Sequence, residues 1–203
     1  MNWQLFGGFL LITVVLLLTP GPIVTLVIST GATRGVRAAL VTVAGTSTGN
    51  AVLLAAIALG LTWVLGHALY LFELLRWMGA LYLIWLGVQA WRHAGSSVAA
   101  PMRSRMHFWR GFLVALSNPK TLAFFTAFLP QFVDPTLPAG PQVALMCIVS
   151  VVLAACSDSC WAMASGLGRA WFMKPARARL LGRASAVTLV AGGLWLSLAR
   201  RPA

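Results

Sequence analysis

Apolar residues in this chain run in long unbroken stretches. Six can be drawn, over residues 3–28, 36–65, 69–91, 109–132, 141–167 and 184–199. A membrane strand would alternate apolar and polar positions over about ten residues, and no such alternation is present. Runs of about twenty apolar residues predict helices that cross a bilayer, because a helix satisfies its own backbone polar groups there. The sixth run is the shortest: its 16 residues reach only about 24 Å at 1.5 Å per residue, less than a hydrocarbon core of about 30 Å. The pattern predicts an all-α integral membrane protein, a six-helix bundle.

Two runs are interrupted in the same manner. Thr19-Pro20-Gly21-Pro22 breaks the first and Ser117-Asn118-Pro119-Lys120 breaks the fourth. Proline lacks a donor N–H and clashes with the preceding turn, so each site ends or kinks its helix. Pro22 after Gly21 and Pro119 after Asn118 also fit the start of a new helix, with a capping residue followed by proline at the first position. Each break lies about ten residues, or about 15 Å, from one end of its run. Ordinary proline kinks are the simple explanation for either break alone. Two breaks at matching places predict half-helix N-termini that meet near mid-membrane, where free N–H groups and partial positive charge attract a carboxylate.

Composition agrees with burial in lipid. The 203 residues are 60% hydrophobic and 9% charged, with a mean hydropathy of +0.87, so a soluble globular fold, disorder and a disulfide scaffold are all excluded. The net charge of +12 comes from 15 Lys and Arg against three acids, Glu73, Asp134 and Asp158. In a soluble protein such a balance points to nucleic acid. Here 11 of the 15 basic residues fall in alternate connections: Arg34 and Arg37; Arg92, Arg103, Arg105 and Arg110; Arg169, Lys174, Arg177, Arg179 and Arg183. The positive-inside rule places those three connections in the cytoplasm and both termini outside; Arg200 and Arg201 oppose this weakly. No nucleic-acid partner is expected, and the first run reads as a retained helix rather than a cleaved signal.

The chain then divides into a first repeat over about 3–91, a flexible cytoplasmic linker over 92–108 with Gly95-Ser96-Ser97 and Pro101, and a second repeat over about 109–199. Three runs per half is an odd number, so the halves enter the membrane in opposite directions, as in inverted-repeat transporters.

Lys120 is the twelfth residue of its 24-residue run, at a depth where a lysine costs about 2.5–3.5 kcal/mol unless it faces a polar interior. It is a candidate for binding an anionic group or pairing with an acid. Asp158 is the one acid deep in an apolar run and the natural partner; burial and a nearby cation pull its proton affinity in opposite directions, as a proton carrier requires. Glu73 reads as an interfacial i,i+3 partner of Arg76, and Asp134 as a solvated loop charge. The second run carries a polar stripe, Thr42, Gly45, Thr46, Gly49 and Asn50. Its glycines suit close helix packing, while Asn50 is a candidate for a cavity. Cys147, Cys156 and Cys160 with three scattered histidines make no metal site, and no hydrolase or phosphate-loop motif appears. No cofactor and no enzyme activity are expected.

Several motifs resemble one family. Pro20-Gly21-Pro22, then Gly79-Ala80-Leu81-Tyr82-Leu83 with Leu86-Gly87, then Gly111 with Asn118-Pro119-Lys120, then Phe124-Phe125 and Phe128-Leu129-Pro130-Gln131-Phe132 follow one another as in the LysE/RhtB amino-acid exporters. The resemblance covers nearly the whole chain. It implies a bacterial inner-membrane, multi-pass protein that exports amino acids or derivatives, such as lysine, threonine, homoserine and its lactone, driven by the proton-motive force. Many members carry an acid where Asn50 stands, which places coupling on Asp158 here and disfavours a dibasic substrate.

The resulting expectation is a secondary transporter exporting neutral amino acids or derivatives of the threonine, homoserine or homoserine lactone type by proton antiport. Gly21, Pro22, Asn50, Asn118, Pro119 and Lys120 are expected to bind substrate and Asp158 to carry the proton. The rival readings are a passive channel for small polar solutes and a membrane scaffold in which the buried charges are structural. Glycine-lined faces offer a route to a homodimer.

Overall fold

The computed structural model describes residues 1–67, 69–92, 106–172 and 174–198, with backbone alone for 62–67, 69–73, 75 and 178. Among the described residues all regular structure is helical: α1 (Trp3–Leu18), α2 (Pro22–Arg34), α3 (Val36–His67), α4 (Leu69–Arg92), α5 (His107–Leu116), α6 (Pro119–Phe128), a 3₁₀ turn (Leu129–Phe132), α7 (Ala139–Leu167), α8 (Arg169–Phe172) and α9 (Pro175–Leu198). Most of the expected linker, the Glu73 side chain and Arg200–Arg201 lie outside the described residues.

Among the described residues, four helical stretches are long and apolar enough to cross a membrane: Val36–Leu61, His107–Phe132, Ala139–Leu167 and Pro175–Leu198. The pair α1 and α2, bent by 44° at its break, makes a fifth if counted as one span. α4 is not one of these spans. The sixth apolar run needs correction. Its helix begins at Pro175 rather than at residue 184, and its 24 residues reach about 36 Å. Arg177, Arg179 and Arg183 therefore belong to the first turns of α9 rather than to a loop. Proline at the first helical position starts the helix ahead of the apolar pattern.

Both breaks follow proline chemistry. α1 ends at Thr19, whose N–H donates to the carbonyls of Val15 and Leu16; Pro20 follows, Gly21 caps α2, and Pro22 opens it. In the fourth run Asn118 caps α6 and Pro119 opens it. This second break is the milder one, since His107–Phe132 still reads as one span.

Glycine decides which helices approach closely. A Cβ at Gly45 would collide with the Phe108 carbonyl, one at Gly49 with the Phe112 carbonyl, and one at Gly111 with the Thr42 carbonyl, so α3 and α5 cross backbone to backbone and run parallel. Gly87 and Gly193 do the same for α4 and α9, which run antiparallel: Gly87 meets Ala186 and Val190, while Gly193 meets Ala80 and Ile84. These directions suit alternate membrane crossings. They also occupy, within one chain, the glycine faces that offered a dimer contact.

Two apolar clusters form the core. The larger holds Phe9, Leu54, Phe124, Phe125, Phe128, Leu129 and Met146. The smaller holds Ile23, Val27, Ala39, Val43, Ala115 and Ala162. At the outer edge of the larger, Trp195 of α9 stacks on Phe128 at 5.2 Å between ring centroids, and Phe9 meets Phe132 edge to face at 5.8 Å.

The two ends of the bundle are tied by polar contacts. At one end Asn2 Nδ2 donates to Asp134 Oδ2 at 3.1 Å. Asp134 Oδ1 accepts from Thr136 N at 2.9 Å and Thr136 Oγ1 at 2.6 Å, and Gln142 Nε2 donates to the Asp134 carbonyl at 3.0 Å. Asp134 is the loop charge expected, and its hydrogen bonds order the turn around it. At the other end the Arg169 guanidinium donates to the carbonyls of Ala32 and Thr33, closing the C-terminus of α2, where a cation suits the helix dipole.

Candidate functional site

A small cleft lies where the two apolar clusters meet. Leu16, Leu17, Gly21, Ile23, Val24, Asn50, Leu54, Asn118, Lys120, Thr121, Phe125, Ser150, Ala154 and Asp158 line it. Of the residues expected from sequence, Gly21, Asn50, Asn118, Lys120 and Asp158 are brought together here. Pro22 and Pro119 stand behind the wall as the first residues of α2 and α6.

Lys120 is buried, and its partners are not the expected one. Its Nζ donates to the carbonyl of Leu16 at 2.8 Å and to that of Thr19 at 2.7 Å. The Leu16 carbonyl also accepts from the Thr19 N–H, and the Thr19 carbonyl lies just past the end of α1, where helix carbonyls run short of N–H partners. The ammonium therefore caps the negative end of the α1 dipole. Asp158, also buried, accepts instead from Thr46 Oγ1 at 3.3 Å. Lys120 and Asp158 face the same cleft without forming the ion pair read from their depths. An ammonium has three hydrogens, so one remains for the cleft.

The two half-helix N-termini differ. At α6 the Asn118 side chain accepts from the Lys120 N–H at 3.2 Å, and Asn118 Nδ2 donates to Thr121 Oγ1 at 2.8 Å. That terminus is closed by its own cap. At α2 the cap is Gly21, which has no side chain to donate an acceptor. Ile23 and Val24 line the cleft, and as first-turn residues their amides have no intrahelical acceptor. The Asn118 side chain thus satisfies one first-turn amide of α6, while glycine offers α2 no side-chain acceptor.

Asn50 completes the polar wall. It is buried, and its Oδ1 has no hydrogen-bond partner. A buried unpaired acceptor costs about 1–3 kcal/mol, and this one is on a residue that lines the cleft. Gly21 has a spatial role as well. A Cβ there would sit 3.0 Å from Lys120 Cδ and 3.4 Å from Nζ, so glycine lets the lysine stem pass over the break.

Sequence reasoning saw Thr46 as one member of a polar stripe but not as the residue that holds Asp158. It also missed Ser157, whose Oγ donates to the Leu17 carbonyl at 3.5 Å, and Thr121. The helical spacing of Thr42, Thr46 and Asn50 was the available signal for Thr46. The cysteines are uninvolved: Cys147 is buried and Cys156 and Cys160 are exposed, all as free thiols.

A cleft with a few convergent polar groups, held among apolar spanning helices at the break of one of them, is the build of a membrane translocator. The LysE type translocator family matches residues 14–200, and the chain belongs to that family, whose members are efflux transporters and not enzymes. It is 31% identical over 204 residues to the homoserine/homoserine lactone efflux protein of Salmonella typhimurium, covering 98% of this chain and 99% of that one. An uncharacterised membrane protein of Vibrio cholerae is 32% identical over 174 residues, covering 83% of this chain and 85% of the relative. The leucine efflux protein of Klebsiella pneumoniae is 33% identical over 132 residues, 62% of either chain. No solved structure matches significantly.

Proposed function

We propose that this chain exports neutral amino acids or close derivatives, of the threonine, homoserine or homoserine lactone type, across the bacterial inner membrane in exchange for protons. One observation carries the reading: the cleft has an open helix N-terminus on one wall and, on the others, a buried carboxylate and an unpaired amide oxygen. That is the complement of an α-amino acid, which presents a carboxylate and an ammonium a few ångströms apart.

In this reading the amides of Ile23 and Val24 bind the substrate carboxylate, with the remaining Lys120 hydrogen adding positive charge. Asp158 receives the ammonium, and Asn50 Oδ1 accepts from the ammonium or from a side-chain hydroxyl. Gly21, Pro22, Asn118 and Pro119 shape the helix ends. Proton and ammonium compete for the Asp158 carboxylate, so entry of one releases the other; this exchange couples efflux to the proton gradient. A single carboxylate in the cleft leaves no partner for a second substrate cation, which disfavours dibasic amino acids. Six crossings, two inverted repeats and a cytoplasmic 92–108 linker complete the reading, supported by the parallel α3–α5 and antiparallel α4–α9 crossings.

The test is efflux of a panel of amino acids from vesicles loaded with each, with and without an imposed pH gradient. Gradient-stimulated efflux and trans-stimulation of neutral substrates are expected. Efflux indifferent to substrate on the far side would mark a passive channel instead.

A further inference from the structure

Where α4 ends and α9 begins, two tryptophans each carry a guanidinium. Arg183 lies over the Trp91 ring at 5.3 Å from its centroid, and Arg177 lies over Trp171 at 4.7 Å. Both rings are exposed, as are Lys174, Arg179 and Arg183. Arg179 and Arg183 stand four residues apart on α9, so two like charges share one helix face, an unfavourable arrangement in water. They also lie near the positive end of the helix dipole.

Among the described side chains no carboxylate is within reach of this group. The sequence has three acids. Asp158 is buried in the cleft. Asp134 is bonded to Asn2 ahead of α7, at the opposite end of the bundle. Glu73 lies 19 positions before Arg92 on α4, about 28 Å along the helix. The described residues leave this group open to an anion from outside the chain.

The surroundings identify its source. Below the arginines, α9 exposes Leu180, Val187 and Leu194, which recur every seven residues on one face with Arg183 among them. The cationic group thus heads an apolar stripe that faces outward. A guanidinium pinned on an indole face keeps its N–H edge free, and that edge matches a phosphate bidentately. Exposed tryptophans at a span end sit at headgroup level. We propose that Lys174, Arg177, Arg179 and Arg183, with Trp91 and Trp171, form a binding site for the phosphodiester headgroup of an anionic phospholipid, its acyl chains lying along Val187 and Leu194. The site is separate from the cleft and requires only that the chain spans a membrane.

Native mass spectrometry of the full chain, released from detergent with equal amounts of phosphatidylglycerol and phosphatidylcholine of matched acyl chains, tests this. The expected result is preferential retention of phosphatidylglycerol, weakened about fivefold by Arg179→Gln or by Arg183→Gln. Phosphatidylcholine retention stays unchanged, and millimolar inorganic phosphate displaces nothing. Arg37→Gln, exposed at the same end but outside the patch, leaves the preference intact. Equal retention of the two lipids, equal damage from Arg37→Gln, or displacement by inorganic phosphate alone would each overturn the proposal, the last by marking a free-anion site.

Discussion

Lys120 Nζ donates to the carbonyl oxygen of Thr19 at 2.7 Å across 101 residues of sequence. With its second bond, to Leu16, this ties the broken end of α1 to the start of α6. Lys120→Met keeps the stem and removes both bonds; the Leu16 carbonyl keeps the Thr19 N–H, while the Thr19 carbonyl loses its donor at about 1–3 kcal/mol. A clear fall in thermal unfolding temperature in detergent is expected, together with loss of efflux. Unchanged stability would show that the lysine is not the cap described.

Gly21→Ala should act through the same lysine. The added Cβ would meet the Lys120 stem at 3.0 Å, and crowding of this kind costs about 1–3 kcal/mol. Efflux should drop about tenfold while the protein still folds and inserts. Gly7→Ala, where nothing lies within 4 Å, should be silent in the same vesicle assay.

Asp158→Asn preserves size and can still bond Thr46, yet it cannot exchange a proton. Efflux from loaded vesicles should lose its response to an imposed pH gradient. Thr46→Val removes the hydroxyl that donates to Asp158 and should shift the pH profile of efflux without abolishing transport. A gradient response that persists in Asp158→Asn would assign coupling to another group.

The α3–α5 crossing has no room for side chains. Gly111→Val places atoms against the Thr42 carbonyl and the Thr46 amide, which are backbone and cannot swing aside. The protein should fail to fold or lose several kcal/mol of stability, read as lost monodisperse material on size-exclusion chromatography. Gly60→Ala, with open space around it, is the matched control.

Asp134 gives a pH prediction at the solvent-exposed end. Hydrogen bonds from the Thr136 side chain first, then from the Thr136 N–H and Asn2, hold its carboxyl below the usual carboxylate range. A lowered folded value means that its contribution is complete above the ordinary value, near pH 4, and is lost as pH falls through the lowered one. Protection of the first amides of α1 against hydrogen exchange should therefore decline on acidification below about pH 4. Asp134→Asn should make that protection insensitive to pH over the same range.

Much of this architecture was readable along the chain. The second to fifth apolar runs placed their helical stretches to within a few residues, because a segment in lipid must bond its own backbone and this demand is written locally. Pro20, Pro22 and Pro119 marked the breaks, because proline cannot continue a helix whatever surrounds it. The start of α9 was less legible: Arg177, Arg179 and Arg183 interrupt the hydropathy pattern, while helix formation there depends on backbone geometry and on packing against α4. Asp134 was legible as a loop charge, but its bonds to Asn2 and Gln142 were not, because those residues come from other elements.

The candidate site divides along the same line. The presence of one deep lysine, one deep aspartate and two broken helices is a property of composition and local order, and it stands without coordinates. Which carbonyls Lys120 meets, that Thr46 rather than Lys120 holds Asp158, and that the α2 terminus is open while α6 closes itself were settled only by packing. Hydrogen bonds act over about 3 Å. Which polar atoms come that close depends on how segments a hundred residues apart rotate against one another, and that rotation is decided by the glycine crossings and the aromatic core of the folded bundle.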